Sequence, residues 1–177
     1  GADLAIFSGG KHIKGPQSTG LIVGNRELID LCRTAASPNP GLGRAFKTGK
    51  EELAGFITAL ELFVLEDEEE RFNRQEKRLL KIAEIVTERT GIRAEMLRQG
   101  RLGTYQPLLH LYLPKPLTAK ECNIYTRSLT PGIDVGVYPP EFCMEENTVF
   151  INAYNLKEGQ AEAVAEGICG YISKMCG

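Results

Sequence analysis

Leu4-Ala5-Ile6-Phe7-Ser8-Gly9-Gly10-Lys11-His12-Ile13-Lys14-Gly15-Pro16-Gln17-Ser18-Thr19-Gly20-Leu21-Ile22-Val23 is the stretch whose reading decides the fold. Its two ends, Leu4 to Phe7 and Leu21 to Val23, are short apolar runs with the length and composition of strands. Between them lie a serine, a lysine three residues later, and a set of glycines around one proline. Glycine lets a backbone come close to a ligand, and successive amides can receive an anion. The stretch therefore reads as strand, ligand-approaching loop and strand, with Lys11 presented at a strand end. The same spacing also fits a solvated glycine-rich hairpin carrying an ordinary surface lysine, and a glycine-rich loop alone does not separate the two.

The totals set outer limits. A chain of 177 residues that is 42% apolar can bury one core of ordinary size. A net charge of -2 argues against a general nucleic-acid binder. No run reaches membrane-spanning length, and no charged-then-apolar leader is seen. The five cysteines, Cys32, Cys122, Cys143, Cys169 and Cys176, are dispersed, odd in number and without Cys-x-x-Cys spacing. This favours reduced thiols in a cytoplasm over a disulfide framework or a zinc site. His12 and His110 are the only histidines, so no metal centre is expected. The chain opens Gly1-Ala2-Asp3 and enters a strand at once. A strand pair placed there cannot cover its own faces and edges, so a partner segment, the N-terminal part of the same protein, is expected.

Outward from the opening stretch, Leu28, Ile29, Leu31, Cys32 and Ala35 recur at helical spacing behind a possible Asn25 cap, predicting a helix from about Arg26 to Ala36. Ser37-Pro38-Asn39-Pro40-Gly41-Leu42-Gly43 interrupts it and delivers Arg44, Lys47 and Lys50 to the next helix. That helix runs from about Glu51 to Leu65 with a wide apolar stripe. The acidic run Glu66 to Glu70 begins another, continued by Phe72, Leu79, Ile82, Ala83 and Val86 to Thr90 and stopped by Gly91. From Ile92 the period changes to two. Strands are expected at Ile92 to Leu97, Pro107 to Leu113, Ile133 to Val137 and Val149 to Ala153. Thr118-Ala119-Lys120-Glu121 is a capping box that starts a helix to about Leu129. Asn155, with Glu158, starts a last helix. Residues 1–65 thus separate from an α+β portion, residues 66–177.

A lysine at a strand end in such a loop can hold a phosphate as a point charge or supply an amine for a Schiff base. A Walker loop needs its glycines before the lysine and a helix after it. Here the glycines largely follow Lys11 and a strand comes next, so that reading fails. The Schiff-base reading needs a phosphate anchor nearby, and the Ser8 hydroxyl can supply one.

The run Asp3 to Lys11, with Gly15-Pro16-Gln17 and Gly20, resembles the cofactor-lysine segment of fold-type-I pyridoxal-phosphate enzymes. Within them it is similar to the group of the L-seryl-tRNA(Sec) selenium transferases (selenocysteine synthases) and their relatives of the D-glucosaminate-6-phosphate ammonia-lyase type. Gly43-Arg44-Ala45-Phe46-Lys47-Thr48-Gly49-Lys50-Glu51 and the helix after it match the same group. The resemblance implies an α/β chain: the end of a large cofactor domain with a mostly parallel sheet, then a small C-terminal α+β domain. It implies pyridoxal 5'-phosphate as cofactor, Lys11 as its Schiff-base residue and Ser8 as a phosphate ligand. Gln17 and Thr19 would reach a neighbouring subunit's cofactor phosphate, which implies a homodimer or larger homo-oligomer. Arg44 and Lys47 would hold a small anionic amino substrate; a solvated approach to the next helix explains them equally.

Two departures bear on the reaction. The glycine-rich run of the selenium transferases is missing from Gly100 to Pro107, and the strand Thr148 to Asn155 lacks a carboxylate-binding arginine. Arg101 or the missing N-terminal part would then anchor the substrate. These departures favour a lyase that removes ammonia from a phosphorylated 2-amino sugar acid or related amino acid, with nucleic acid not a partner. The alternatives are a selenium-type transferase acting on aminoacyl-tRNA, and a cofactor-free interaction module. The ring-nitrogen partner and the ring-stacking group are expected outside these residues.

Overall fold

The computed structural model describes residues 1–99, 103–138 and 145–176, which fall into two compact units, Gly1–Glu66 and Asp67–Gly177. The first unit begins with strands β1 (Leu4–Ser8) and β2 (Gly20–Gly24). They pair antiparallel in the register Leu4 with Gly24 through Ser8 with Gly20. The pair closes as a hairpin, one of the two forms that the spacing allowed. The reason is length: residues 9–19 reverse the chain as a hairpin, whereas a parallel return needs a crossover of a dozen or more residues, usually carrying a helix.

Helix α1 (Arg26–Ala35) follows, with the Asn25 side chain accepting the Glu27 N–H at 2.9 Å. A 3-10 turn at Arg44–Phe46 leads to α2 (Lys50–Leu65). This unit leaves most of its apolar side chains in water. Ile6 is 76% exposed and Leu42 91%, and Phe46, Leu62, Val64 and Leu65 are likewise open. Phe56 at 6% and Ile13 at 7% are the exceptions.

The second unit has its own core. Its elements are α3 (Glu68–Thr90), β3 (Arg93–Leu97), β4 (Leu108–Tyr112), α4 (Ala119–Arg127), β5 (Gly136–Val137), β6 (Thr148–Asn152) and α5 (Gln160–Cys176). The sheet order is β3-β4-β6-β5 and every pairing is antiparallel. Asp67 caps α3 through the Glu70 N–H at 2.9 Å, and Gly91 ends it at φ 68°. Thr118 and Glu121 close the capping box that their spacing implies. The last helix starts later than Asn155, at Gln160, because Gly159 (φ 77°) turns the chain first.

Strand alternation divides the sheet into two faces. Leu109, Leu111, Val149 and Ile151 face α3 and α5 in one cluster with Leu79, Ile82, Val86, Val164, Ala165 and Ile168. Cys122 and Cys169 lie in that cluster, and burial pushes the Cys122 thiol up to about 12. Both are therefore held as thiols that pack as small apolar groups. Among the described residues no helix is long and apolar enough to cross a membrane.

The other face carries Glu95, His110, Tyr112 and Phe150. His110 is buried, with Nε2 2.8 Å from the Tyr138 hydroxyl, while the Tyr112 hydroxyl donates to Glu95 Oε2 at 2.8 Å. Burial pushes the His110 imidazole below its ordinary value, against a weaker upward pull from Glu95. An unfolded chain then binds the proton more readily than the folded one, so stability falls as pH drops through the unfolded histidine value. Urea titrations from about pH 8 to about pH 5 should show the wild type losing stability relative to His110→Gln. A constant difference between the two across that range would contradict this origin.

Candidate functional site

The loop between β1 and β2 is built from its own backbone outward. Gly9 N–H donates to Thr19 O at 2.9 Å and Gly15 N–H to Gly9 O at 2.8 Å. The first bond closes the base of the loop and the second folds its middle back over that base. Gln17 Nε2 donates to Gly10 O at 3.1 Å, and the Thr19 hydroxyl donates to Pro16 O at 2.6 Å. Within this frame Lys11 to Lys14 form a turn, with Lys14 N–H bonded to Lys11 O at 2.9 Å. Lys14 closes that turn at φ 61°, a left-handed conformation that costs a side-chain-bearing residue about 1 kcal/mol. The turn leaves Lys11 exposed at the tip, just beyond the strand end, while Ile13 is folded inward and buried.

The glycines have a different use from the one their pattern suggested. A Cβ on Gly9 would lie 2.9 Å from the Phe56 ring and closer still to the Thr19 hydroxyl. A Cβ on Gly10 would lie 2.8 Å from Gln17 Cα, and one on Gly15 3.2 Å from both Gly9 O and the Phe56 ring. The close backbone approach is thus made to the loop itself and to α2. A second tie runs from the Ser18 hydroxyl to Glu52 Oε1, while Glu52 Oε2 accepts the Gly49 N–H at 2.9 Å. Ser18 first and Gly49 second hold the Glu52 carboxyl below its ordinary value. Phe56, Glu52 and Ser18 were not singled out in the sequence. Phe56 was one member of an apolar stripe, and the only signal for Glu52 was its place three residues into α2.

Ser8, Lys11, Gln17 and Thr19 come together on this one loop, Ser8 opposite Gly20 in the strand register. Ser8 and Gln17 are exposed; Thr19 is buried and its hydroxyl is engaged. Arg44 and Lys47 lie on the separate segment between α1 and α2, both exposed. There Arg44 donates to Ser37 Oγ at 2.8 Å. Among the described residues that segment makes no hydrogen bond to Ser8, Gln17 or Thr19. Arg101 falls outside the described residues. An open pocket of about 300 Å³ lies beside the loop, lined by His12, Ile13, Lys14, Leu62, Phe63 and Glu66 among others, and Lys11 is not part of its lining. Chemically, the loop offers one primary amine and one hydroxyl on a backbone fixed by its own hydrogen bonds.

Comparison with known proteins places this geometry. A family model described as L-seryl-tRNA selenium transferase matches residues 1–106. Among curated relatives, a 5'-C-glycyluridine monooxygenase-decarboxylase of a Streptomyces species is 37% identical over 94 residues, 53% of this chain and 23% of that protein. A D-glucosaminate-6-phosphate ammonia lyase of Salmonella typhimurium is 41% identical over 61 residues, 34% of this chain and 15% of that protein. An L-seryl-tRNA(Sec) selenium transferase of Desulfovibrio desulfuricans is 35% identical over 105 residues, 59% of this chain and 21% of that protein. The chain thus aligns with less than a quarter of each. A solved D-glucosaminate-6-phosphate ammonia-lyase shares the fold, with TM-score 0.72 at 22% identity over 98% of this chain and 45% of that one. So does ureidoglycine-glyoxylate aminotransferase from Bacillus subtilis, with TM-score 0.63 at 14% identity over 99% and 48%.

If Phe56 and the glycines hold the loop, overpacking them should open it. Gly9→Ala should destabilise the loop by about 1–3 kcal/mol and speed tryptic cleavage after Lys11 and Lys14. Gly1→Ala, where a Cβ meets nothing within 4 Å, serves as the control. Equal cleavage rates for the two variants would show that the loop is not packed as described.

Proposed function

The chain belongs to the L-seryl-tRNA selenium transferase family, and from that premise we propose that it is the lysine-bearing part of a pyridoxal-phosphate-dependent enzyme. The observation that carries this reading is Lys11, exposed at the tip of a self-braced loop inside the matched residues 1–106. The donor set fits one end of such a cofactor: an amine on Lys11 and a hydroxyl on Ser8, on backbone that the Gly9–Thr19 and Gly15–Gly9 bonds keep in place. Gln17 sits beside them, and Thr19 acts from below by locking Pro16. When bound, the cofactor supplies an electron sink for negative charge developing beside a substrate amine.

The rest of the reading concerns this chain's own groups. Lys11 Nζ is the attachment atom, and the same amine is the base for the proton on the substrate's α-carbon. Lysine bases work in enclosed sites, and Lys11 is exposed here. We therefore read the enclosure as coming from the remainder of a longer polypeptide and from a second subunit. The open apolar side chains of the first unit, Ile6, Phe46, Leu62 and Leu65 among them, support that reading, as does the short share of each relative that aligns. Arg44 and Lys47 are the groups for a substrate carboxylate or phosphate, Arg44 held in place by Ser37.

For the reaction, we favour elimination of ammonia from a phosphorylated 2-amino-3-hydroxy sugar acid or a related amino acid. Loss of water across the α- and β-carbons followed by its return leaves a 2-keto acid and ammonia, so atoms balance without a further reactant. The 41% identity to the ammonia lyase supports this reading, and the net charge of -2 argues against a nucleic-acid substrate. The second reading, a transferase acting on aminoacyl-tRNA, is supported by the family model itself and by the 35% identity to the Desulfovibrio enzyme.

Borohydride reduction of the full-length polypeptide with pyridoxal phosphate, followed by peptide mass spectrometry, should place a pyridoxyl group on Lys11. The label should vanish in Lys11→Ala and persist in Lys14→Ala. A label on Lys14 or on scattered lysines instead would sink the assignment. Ammonia release from phosphorylated 2-amino sugar acids, absent in Lys11→Ala, then separates the lyase from the transferase.

A further inference from the structure

The second unit holds a group of cations that the lysine loop does not involve. On α3, Arg74, Lys77, Arg78 and Lys81 recur at steps of three and four and so share one face. Across from them is the turn before α5. Arg78 NH1 donates to Leu156 O, which pins that turn to α3 and brings Lys157 beside the same face. These five cations line an open pocket of about 320 Å³ together with Glu158, Gly159, Ala161 and Glu162. That volume lies at the lower end of ordinary small-molecule sites.

Its charge is the reason to assign it a ligand. Five cations line it against Glu158 and Glu162, and with Glu70 and Glu84 paired to two of the five it keeps one net positive charge in a chain whose net charge is -2. Arg74 is paired with Glu70 at 2.8 Å and Lys81 with Glu84 at 2.9 Å. Lys77 and Lys157 are exposed and make no ion pair among the described residues. Gly159 has no side chain to stand between the turn backbone and the pocket, and its left-handed φ of 77° explains its presence there.

We propose that this pocket binds a small molecule bearing two or more linked phosphate groups. Arg74 and Lys81 are separated by about 10 Å along the helix axis. One phosphate is too small to meet cations spread over that length, whereas a diphosphate or triphosphate can engage Lys77, Lys157 and an arginine together. A long polyanion such as RNA is less suited, because Glu158 and Glu162 lie in the same lining. Arginine forks and lysine ammonium groups supply the charge-assisted hydrogen bonds that phosphate oxygens accept.

Calorimetric titration of the full chain with orthophosphate, pyrophosphate and tripolyphosphate tests the site. Tripolyphosphate should bind at least about tenfold more tightly than orthophosphate, and Lys77→Gln with Lys157→Gln should weaken it by about a hundredfold, two charge-assisted contacts being lost. Lys77→Arg should retain binding, and Lys120→Gln on α4 should change nothing. Both glutamine substitutions are at exposed positions, and an unchanged thermal midpoint will show that the fold is kept. No preference among the three anions, or equal binding by the double variant, would overturn the proposal. So would binding of a single-stranded RNA oligonucleotide without binding of tripolyphosphate, which would make the face a nucleic-acid surface.

Discussion

The first unit depends on one contact, the packing of the Phe56 ring under Gly9 and Gly15. It is nearly the only apolar side chain that this unit buries, and it lies where the reversing loop crosses α2. A ring of that size removes enough surface from water to offset the ordering of several loop residues. Side chains at the two glycine positions would push the loop off the ring. The Thr19–Pro16 and Gln17–Gly10 bonds complete the brace on which the Lys11 turn stands. If Lys11 attaches a cofactor as proposed, preorganisation of this kind keeps loop ordering from weighing against binding.

The two units solve the burial problem in opposite ways. The second packs α3 and α5 across one face of a four-stranded antiparallel sheet and closes a core around Leu79, Leu111 and Ile168. The first presents a two-stranded ribbon and two helices with their apolar side chains largely in water. A two-stranded hairpin has too little surface to bury both faces by itself. The chemistry follows the same division: the lysine loop lies in the unit that lacks a core, and the unit with a complete core holds the cationic pocket on α3.

Much of the second unit was legible because its signals are local. Asp67, Gly91 and the Thr118–Glu121 box mark helix ends by hydrogen bonds that span three or four residues. The change of period at Ile92 marks the sheet. The helix after Asn155 was placed too early because Gly159 was not read as a turn. In the first unit the strands, the helices and the presented Lys11 were legible for the same reason. The pairing direction follows from loop length, and a hairpin was one of the two readings that the spacing allowed. The purpose of the glycines was not legible, since it rests on Phe56, some forty residues away in sequence. A stripe of apolar residues on a helix does not announce which one of them will meet a distant loop.

This separation of brace from chemistry bears on how one segment can serve different reactions. The family model spans the loop, and the relatives that align with parts of this chain carry the names of a lyase, a transferase and a monooxygenase-decarboxylase. Every bond described within the loop is internal or runs to α2, and none draws on Arg44 or Lys47. The brace can therefore stay constant while the groups that meet the substrate change. Arg44 and Lys47, which the proposed reading assigns to the substrate, sit on an exposed turn after a proline- and glycine-rich loop, Ser37 to Gly43, where altered side chains disturb no core. Function grafted on such segments is decoupled from the fold that carries it. On the proposed reading, Lys11 speaks to how a cofactor would be held, and the Arg44–Lys47 turn to what would be brought to it.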